Sequence, residues 1–196
     1  RVTPTRLRML MKEILDYRIN EYLNPKQDMA KLKILCIVGG SGCGKTLASL
    51  HLKYHKDANV ICSFTTRPPR PTEVEGRDHH FIDIVPDRTE LIAYAHFGGY
   101  YYYATKWQVF GPCTVYVIDE KGLENLRNDF GDVYDIYTVL IKRDKALRRK
   151  SGIDETRLRR DERRDLKDED YDYVIINNGK KAALFESIEC IYEEIK

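Results

Sequence analysis

The residues most capable of chemistry form one run of eight, GGSGCGKT at positions 39–46. The run follows the apolar residues 32–38 and precedes a helical pattern, which is the context in which a G-x-x-x-x-G-K-[ST] loop binds phosphate. Glycines let the backbone wrap an anion with its N–H groups turned inward, and the start of the next helix adds a favourable dipole. The run therefore predicts binding of a nucleoside triphosphate.

Individual loop residues have expected roles. Lys45 is expected to reach the β and γ phosphate oxygens, and the Thr46 hydroxyl is expected to ligate Mg²⁺. The residues that we expect to surround the triphosphate are Gly40, Ser41, Gly42, Cys43, Gly44, Lys45 and Thr46.

A second group of chemically capable residues lies in SFTTRPPRP, at positions 63–71. Arg67 and Arg70 are three residues apart in a loop stiffened by prolines, directly after a predicted strand. Two guanidinium groups can bind one phosphate bidentately, and an enzyme that transfers a phosphoryl group must hold its acceptor and neutralise charge. The loop therefore predicts a site for an acceptor phosphate, although surface arginines in a proline-rich loop are the simpler alternative.

The sequence resembles guanylate kinases in both of these segments. The run SFTTRPPRPTEVEGRDHHFI carries most of the likeness, together with GGSGCGKT, FGGYYYYAT, VIDEKG and RLRRDERRDLKDEDYDYVIINN. It covers residues 32–196 and leaves the first 30 residues outside. The resemblance implies a Mg²⁺-dependent enzyme that transfers a phosphoryl group from ATP to GMP or dGMP and releases the diphosphate.

The resemblance also implies roles for single residues. The monophosphate would be bound by Ser63, Arg67, Arg70, His79, Tyr102 and Asp119. Asp119 would also lie near the magnesium ion, with Thr46. Asn177 would approach the adenine of ATP. The transferring phosphoryl group would be contacted by Lys45, Arg67, Arg157 and one arginine of the pair Arg148 and Arg149, of which we favour Arg149.

Simpler interpretations stay open for some of these residues. Asp119 could cap the helix that follows it, which is a common use of aspartate at the end of a strand. His79 stands where the family has a tyrosine that can bind the acceptor phosphate, and it could donate a hydrogen bond there instead. At least two of the four tyrosines at 100–103 are expected to be structural.

Two positions depart from the family pattern where the acceptor base is expected to bind. Guanine presents an N1–H and an amino group that a carboxylate can accept from, but Ala93 and Val117 stand where the family supplies acidic residues. This departure makes a kinase of broadened nucleotide or deoxynucleotide specificity a serious variant. The rival from another class is a guanylate-kinase-like protein-interaction module, and the intact Lys45 and Thr46 count against it.

The elements that must position these residues alternate between strand and helix. Strands are predicted at 32–38, 59–63, 114–118, 136–141 and 172–176, with helices at 45–55, 121–129, 156–166 and 180–195. This order predicts an α/β protein with a five-stranded parallel sheet between helices, and with the phosphate loop a three-layer P-loop NTPase fold.

Three segments lie outside that alternation. Residues 64–110 are expected to form an inserted acceptor-binding subdomain, with a short strand at 80–82, a helix at 87–94 and an aromatic turn at 98–103. Residues 143–156 are expected to form a short lid. Residues 1–30 are predicted to be a helical extension, which packs on the domain or binds a partner. Residues 31–196 would form the guanylate-kinase-like domain.

Composition and charge limit the partners and the cellular location that we expect. The 196 residues include 33 lysines and arginines against 31 acidic residues, and the net charge of +2 gives no support for a nucleic-acid or membrane partner. Five cysteines without C-x-x-C spacing are typical of reduced thiols. No stretch approaches the roughly 18 apolar residues that span a bilayer, and the N-terminal residues resemble no targeting peptide. We expect a cytoplasmic monomer or homodimer.

Overall fold

The computed structural model describes residues 31–196 except Thr72, Ile84, Pro86 and Asp87. The predicted helical extension at 1–30 lies outside the described residues. The strands are β1 (Leu32–Gly39), β2 (Asn59–Val60), β3 (Phe64–Thr65), β4 (His80–Phe81), β5 (Leu91–Phe97), β6 (Tyr100–Thr105), β7 (Cys113–Val117), β8 (Tyr134–Lys142) and β9 (Tyr173–Ile176). The α-helices are α1 (Lys45–His55), α2 (Glu120–Phe130), α3 (Lys145–Lys150), α4 (Glu155–Glu162) and α5 (Lys181–Ile195).

The main sheet has five strands in the order β2-β7-β1-β8-β9, and every neighbouring pair is parallel. Side chains of β1 alternate between its two faces, so Leu35 and Ile37 pack against α1 and α5 while Ile34 and Cys36 pack against α2 and the second sheet. Helices therefore cover both faces, and the predicted five-stranded parallel sheet is confirmed.

A second sheet is built from the chain between β2 and β7. Its order is β4-β3-β6-β5, with antiparallel pairs β3–β6 and β5–β6 and a parallel pair β3–β4. It lies next to the carboxyl ends of β1 and β7, because its buried residues Ile92 and Ala104 share one apolar cluster with Val38 and Ile118. That edge of a parallel sheet is where ligands bind in open α/β folds.

The predicted helix at 87–94 is wrong. A short 3₁₀ turn at Arg88–Glu90 leads directly into β5, which pairs with β6 through a hairpin. Gly98 and Gly99 form the turn with φ of +60° and +82°, the left-handed conformation that two-residue hairpin turns require at both central positions. The tyrosines at 100–103 consequently belong to strand β6 and not to the turn.

Boundaries elsewhere differ by a few residues. The strand predicted at 59–63 is hydrogen-bonded as a strand only at Asn59–Val60, and the helix predicted at 156–166 is α4, Glu155–Glu162. The segment expected as a lid contains α3 and the first turn of α4. Within the residues that are described, no helix is long and apolar enough to cross a membrane.

Candidate active site

The phosphate loop joins β1 to α1 and is shaped by its glycines. Gly42 and Gly44 adopt φ of +73° and +108°, which side chains disfavour. A Cβ atom at Gly44 would also lie 2.6 Å from Asn177 Nδ2, so a side chain there would displace that amide. Helix α1 begins at Lys45 immediately afterwards, and the positive end of its dipole therefore adjoins the loop. The local geometry is that of an anion-binding turn.

Lys45 lies over the loop that precedes it. Its Nζ donates to the carbonyl oxygens of Gly39 at 2.8 Å and Gly40 at 2.9 Å. Burial, together with the charges of Arg164 and Arg157, lowers the pKa of Lys45 to about 8. A bound phosphate would supply the negative charge that this ammonium group lacks.

Asn177 and the Cys43 side chain hold the phosphate loop against the body of the domain. The Asn177 Nδ2 donates to the Cys43 carbonyl at 2.8 Å, and its amide group is buried. The Cys43 side chain packs in the apolar cluster of α1 and α5 with Leu184 and Ile188. The structure thus brings Asn177 to the loop backbone, where it fixes the turn.

Arginines from the second half of the chain contact the loop on its other side. The contacts are Arg143 Nη1 to Gly42 O at 3.5 Å, Arg148 Nε to Ser41 O at 2.7 Å, Arg160 Nη2 to Ser41 Oγ at 3.2 Å and Arg164 Nη1 to Gly39 O at 3.2 Å. Sequence reasoning missed most of this group because a run of charged residues is typical of a solvated helical face.

Arg149 does not join this group. Its side chain is 55% exposed and donates to Glu155 Oε2 at 2.8 Å, whereas Arg148 is buried against the loop. Successive helical residues point about 100° apart, so only one of the two can face the loop. The structure therefore places Arg148 where the sequence analysis placed Arg149.

Arg157 lies in the cleft between the phosphate loop and the acceptor loop. It lines a cavity of about 590 Å³ that Thr46 and Arg70 also line. Burial, together with the charges of Arg70 and Arg160, lowers the pKa of Arg157, and its buried Nε has no hydrogen-bond partner among the described residues. A cation placed next to other cations, with a buried N–H that has no partner, favours a bound anion.

Arg67 and Arg70 converge on one carboxylate, Glu73. Arg67 Nη2 lies 2.9 Å from both Glu73 oxygens, while Arg70 donates to Glu73 through its backbone N–H at 2.8 Å and Nη1 at 3.0 Å. The pair can therefore grip a single anionic group, as an acceptor phosphate requires. Glu73 was missed at the sequence level, although its position three residues after Arg70 is a common spacing for a local ion pair.

A smaller cavity of about 190 Å³ lies between the phosphate loop and the second sheet. Polar groups from both sides line it, namely Lys45, Ser63, His79, Tyr102, Asp119 and Arg164. Ser63 Oγ and His79 Nδ1 are 2.8 Å apart, and burial together with the charge of Arg67 lowers the pKa of His79. The structure thus places four of the predicted acceptor residues, Ser63, His79, Tyr102 and Asp119, around the same cavity as the phosphate-loop lysine, whereas Arg67 and Arg70 do not line it.

The rest of that cavity is apolar. Ala93, Ala95, Tyr116, Val117 and Ile118 complete its lining. Ala93 is buried and has a φ of +54°, at the irregularity in the pairing of β5 with β6. Positions 93 and 117, where guanylate kinases were noted to supply acidic residues, contribute no carboxylate to this cavity.

The Asp119 carboxylate contacts the start of α2 and also faces the smaller cavity. Its Oδ1 accepts the Gly122 N–H at 2.7 Å, so the alternative interpretation as the cap of α2 is confirmed. The same carboxylate also lines the cavity that contains Lys45. Capping and ligand binding are compatible, because one carboxylate has several acceptor sites.

The residues present also fit a magnesium ion. Thr46 is exposed in the first turn of α1, and hydroxyl and carboxylate oxygens are the hard ligands that Mg²⁺ prefers. The described residues contain no cluster of three His, Cys, Asp or Glu side chains that could hold a metal. Thr46 and Asp119 would be the one or two protein ligands that Mg²⁺ usually takes beside substrate phosphates and water.

The phosphate loop lies on a five-stranded parallel sheet and faces the loop of Arg67 and Arg70 across a cleft. These features define a P-loop protein with two anion-binding groups. The Guanylate kinase family model matches residues 31–191. Guanylate kinase from Aromatoleum aromaticum is 33% identical over 171 residues, covering 77% of this chain and 83% of that protein. Guanylate kinase from Maricaulis maris is 33% identical over 181 residues, covering 82% and 83%. The chain belongs to the guanylate kinase family.

A solved structure gives the same fold. The crystal structure of guanylate kinase from Anaplasma phagocytophilum matches with a TM-score of 0.57 at 20% identity, covering 85% of this chain and 88% of that one. The predicted three-layer P-loop fold is therefore confirmed.

Proposed function

We propose that this protein catalyses transfer of the γ-phosphoryl group of ATP to GMP or dGMP, giving ADP and the nucleoside diphosphate. The observation that carries the proposal is a shared cavity, in which Lys45 of the phosphate loop lies with Ser63, His79 and Asp119. Phosphoryl transfer needs donor and acceptor held in line, and one cavity lined from both sides meets that need. The relatives named guanylate kinases support the same reaction.

On the donor side, the loop backbone and α1 dipole bind the triphosphate and Lys45 neutralises its β and γ oxygens. Magnesium, when bound through Thr46 and Asp119, supplies charge neutralisation on the phosphates. Arg148 and Arg157 add positive charge from the lid segment and the cleft. These groups stabilise the charge that spreads over the transferred oxygens.

On the acceptor side, Arg67 and Arg70 exchange Glu73 for the monophosphate. Because both guanidinium groups already converge on one anion, little rearrangement is needed to hold another. Ser63, His79 and Tyr102 line the adjoining cavity and donate hydrogen bonds to the same phosphate. The apolar lining at Ala93 and Val117 receives the base.

We propose a cytoplasmic location. All five cysteines lie in the described part of the chain and are free thiols, which suits a reducing compartment.

A coupled assay of ADP release over GMP, dGMP, AMP, CMP and UMP tests the proposal. We expect release that depends on the monophosphate, with GMP and dGMP among the best acceptors. A guanylate-kinase-like interaction module would bind without releasing ADP, and that result would reject the enzyme assignment.

A further inference from the structure

Asp161 on α4 is a buried carboxylate that touches the phosphate loop. Its side chain is only 2% exposed, and its Oδ2 accepts the Ser41 backbone N–H at 2.6 Å. Arg148 Nη2 pairs with the same oxygen. Burying a carboxylate costs free energy unless it is paired and hydrogen-bonded, so these contacts are what hold it there.

The contacts close a ring around Ser41. Its N–H donates to Asp161, and its carbonyl accepts from Arg148 Nε at 2.7 Å. Arg148 comes from α3 and Asp161 from α4, so both helices are attached to one residue of the loop. Each corner of the ring is buried.

Gly40 shows how closely this ion pair approaches the loop. A Cβ atom at position 40 would lie 2.9 Å from Arg148 Nη2 and 3.1 Å from Asp161 Oδ2. Position 40 is not among the loop glycines with positive φ, so its backbone does not itself demand glycine. The absence of a side chain there makes room for the Arg148–Asp161 pair.

Other charges keep Asp161 ionised. Burial acts to raise its pKa, but the Ser41 N–H and the charges of Arg148 and Arg164 outweigh burial and hold the pKa below its ordinary value. Arg164 Nη1 lies 3.7 Å and Arg160 Nη2 3.5 Å from Asp161 Oδ1. The carboxylate is thus the common anion of three arginines that also contact the loop.

We propose that Asp161 is a positioning residue for phosphoryl transfer, which fixes Arg148 and the Ser41 turn relative to each other before ATP binds. This proposal rests on the proposed kinase function. Preorganised charge and loop geometry favour the transition state because they need not be rearranged during the reaction. Asp161 acts through Arg148 and Ser41 and is not itself placed on the substrate.

The test is the variant Asp161→Asn, which keeps the volume and one oxygen acceptor but removes the charge. Because the variant loses hydrogen bonds to a charged group, kcat/KM for ATP should fall roughly 10- to 100-fold, while KM for GMP stays within about twofold. Glu162→Gln is the matched control, because it breaks the exposed Lys145–Glu162 pair that also joins α3 to α4. We expect the control to retain its kinetics with both substrates.

A second variant distinguishes a loss of positioning from a general loss of folding. Arg148→Lys keeps the charge but cannot bond both Ser41 and Asp161 in the same way, and the double variant with Asp161→Asn should lose little beyond either single one. Multiplicative losses, or kcat/KM for ATP within twofold of wild type in Asp161→Asn, would overturn the positioning role. Equal increases in KM for ATP and for GMP would overturn it as well.

The proposed kinase function and the positioning role of Asp161 can be rejected independently of each other. If the wild type forms no GDP from GMP, the proposed function fails, but ATP affinity measured by calorimetry still tests Asp161. The positioning role then requires at least about tenfold weaker ATP binding in Asp161→Asn than in Glu162→Gln. Equal ATP affinity in the two variants would overturn it.

Discussion

The hydroxyl of Ser63, just before β3, lies 2.8 Å from Nδ1 of His79, just before β4. The imidazole is held in an environment that disfavours its protonated form, because burial and the charge of Arg67 both lower its pKa. Burial and the charge of Arg67 therefore favour a neutral His79 near pH 7, and the lowered pKa makes the stability of the folded protein depend on pH.

The first prediction concerns that pH dependence. Since the folded state has the lower pKa for His79, the unfolded state binds more protons below about pH 6.5, so stability falls as pH is lowered through that value. We expect the free energy of unfolding, measured with urea between pH 5 and 8, to fall less in His79→Gln than in wild type. Parallel pH curves for the two proteins would show that His79 titrates normally.

The second prediction concerns Lys45 and pH. Burial lowers its pKa to about 8, so the free enzyme loses the ammonium charge as pH rises through that value. We expect kcat/KM for ATP to decline above about pH 8, an effect that kcat at saturating ATP should show less because bound phosphate restabilises the charge. A flat kcat/KM profile up to pH 9.5 would contradict the assignment of Lys45 as the charged ligand.

The third prediction separates the two substrates. Arg67→Ala and Arg70→Ala each remove a charge-assisted contact worth about 1.5–3 kcal/mol, so KM for GMP should rise and turnover should fall. ATP affinity should stay unchanged, because the phosphate loop binds a different phosphate. Arg159→Ala offers the control, since its side chain is 73% exposed and pairs with Glu155 on the surface of α4. Weaker ATP binding in Arg67→Ala would mean that this loop serves the donor.

The fourth prediction concerns the base. With apolar residues at 93 and 117, GMP should be preferred over AMP by less than a pocket with carboxylates at both positions would give. Val117→Asp should raise the GMP to AMP ratio of kcat/KM by about tenfold, since one buried hydrogen bond contributes roughly 1–3 kcal/mol. Val117 is the better site for the change, because Ala93 is buried whereas Val117 is partly exposed, so a larger side chain at 93 must displace its neighbours. An unchanged ratio would mean that other groups select the base.

Much of this architecture follows from local sequence. The phosphate loop, the central strands and helix α1 were predictable because glycine spacing and apolar periodicity are properties of neighbouring residues. The hairpin of β5 and β6 was predictable in principle from Gly98-Gly99, yet the alanines of β5 favoured a helix there. Tertiary pairing with β6 and packing against α2 decided the outcome.

The charged network could not be predicted in the same way. Arg148 and Arg149 are adjacent and chemically identical, and Arg148 is the one that its position on the turn of α3 directs toward Ser41 and Asp161. Glu73 likewise acquires its role from where Arg67 and Arg70 converge in space. Charge pairing depends on distances between segments far apart in the chain, which spacing along the sequence does not report.

Transfer of isotopically labelled γ-phosphate from ATP to GMP tests the central claim most directly. We predict that labelled GDP forms in equal amount to ADP and that magnesium is required. We also predict that Lys45→Ala loses several orders of magnitude in rate at an unchanged melting temperature. ATP hydrolysis without labelled GDP, or wild-type-like transfer by Lys45→Ala, would contradict it.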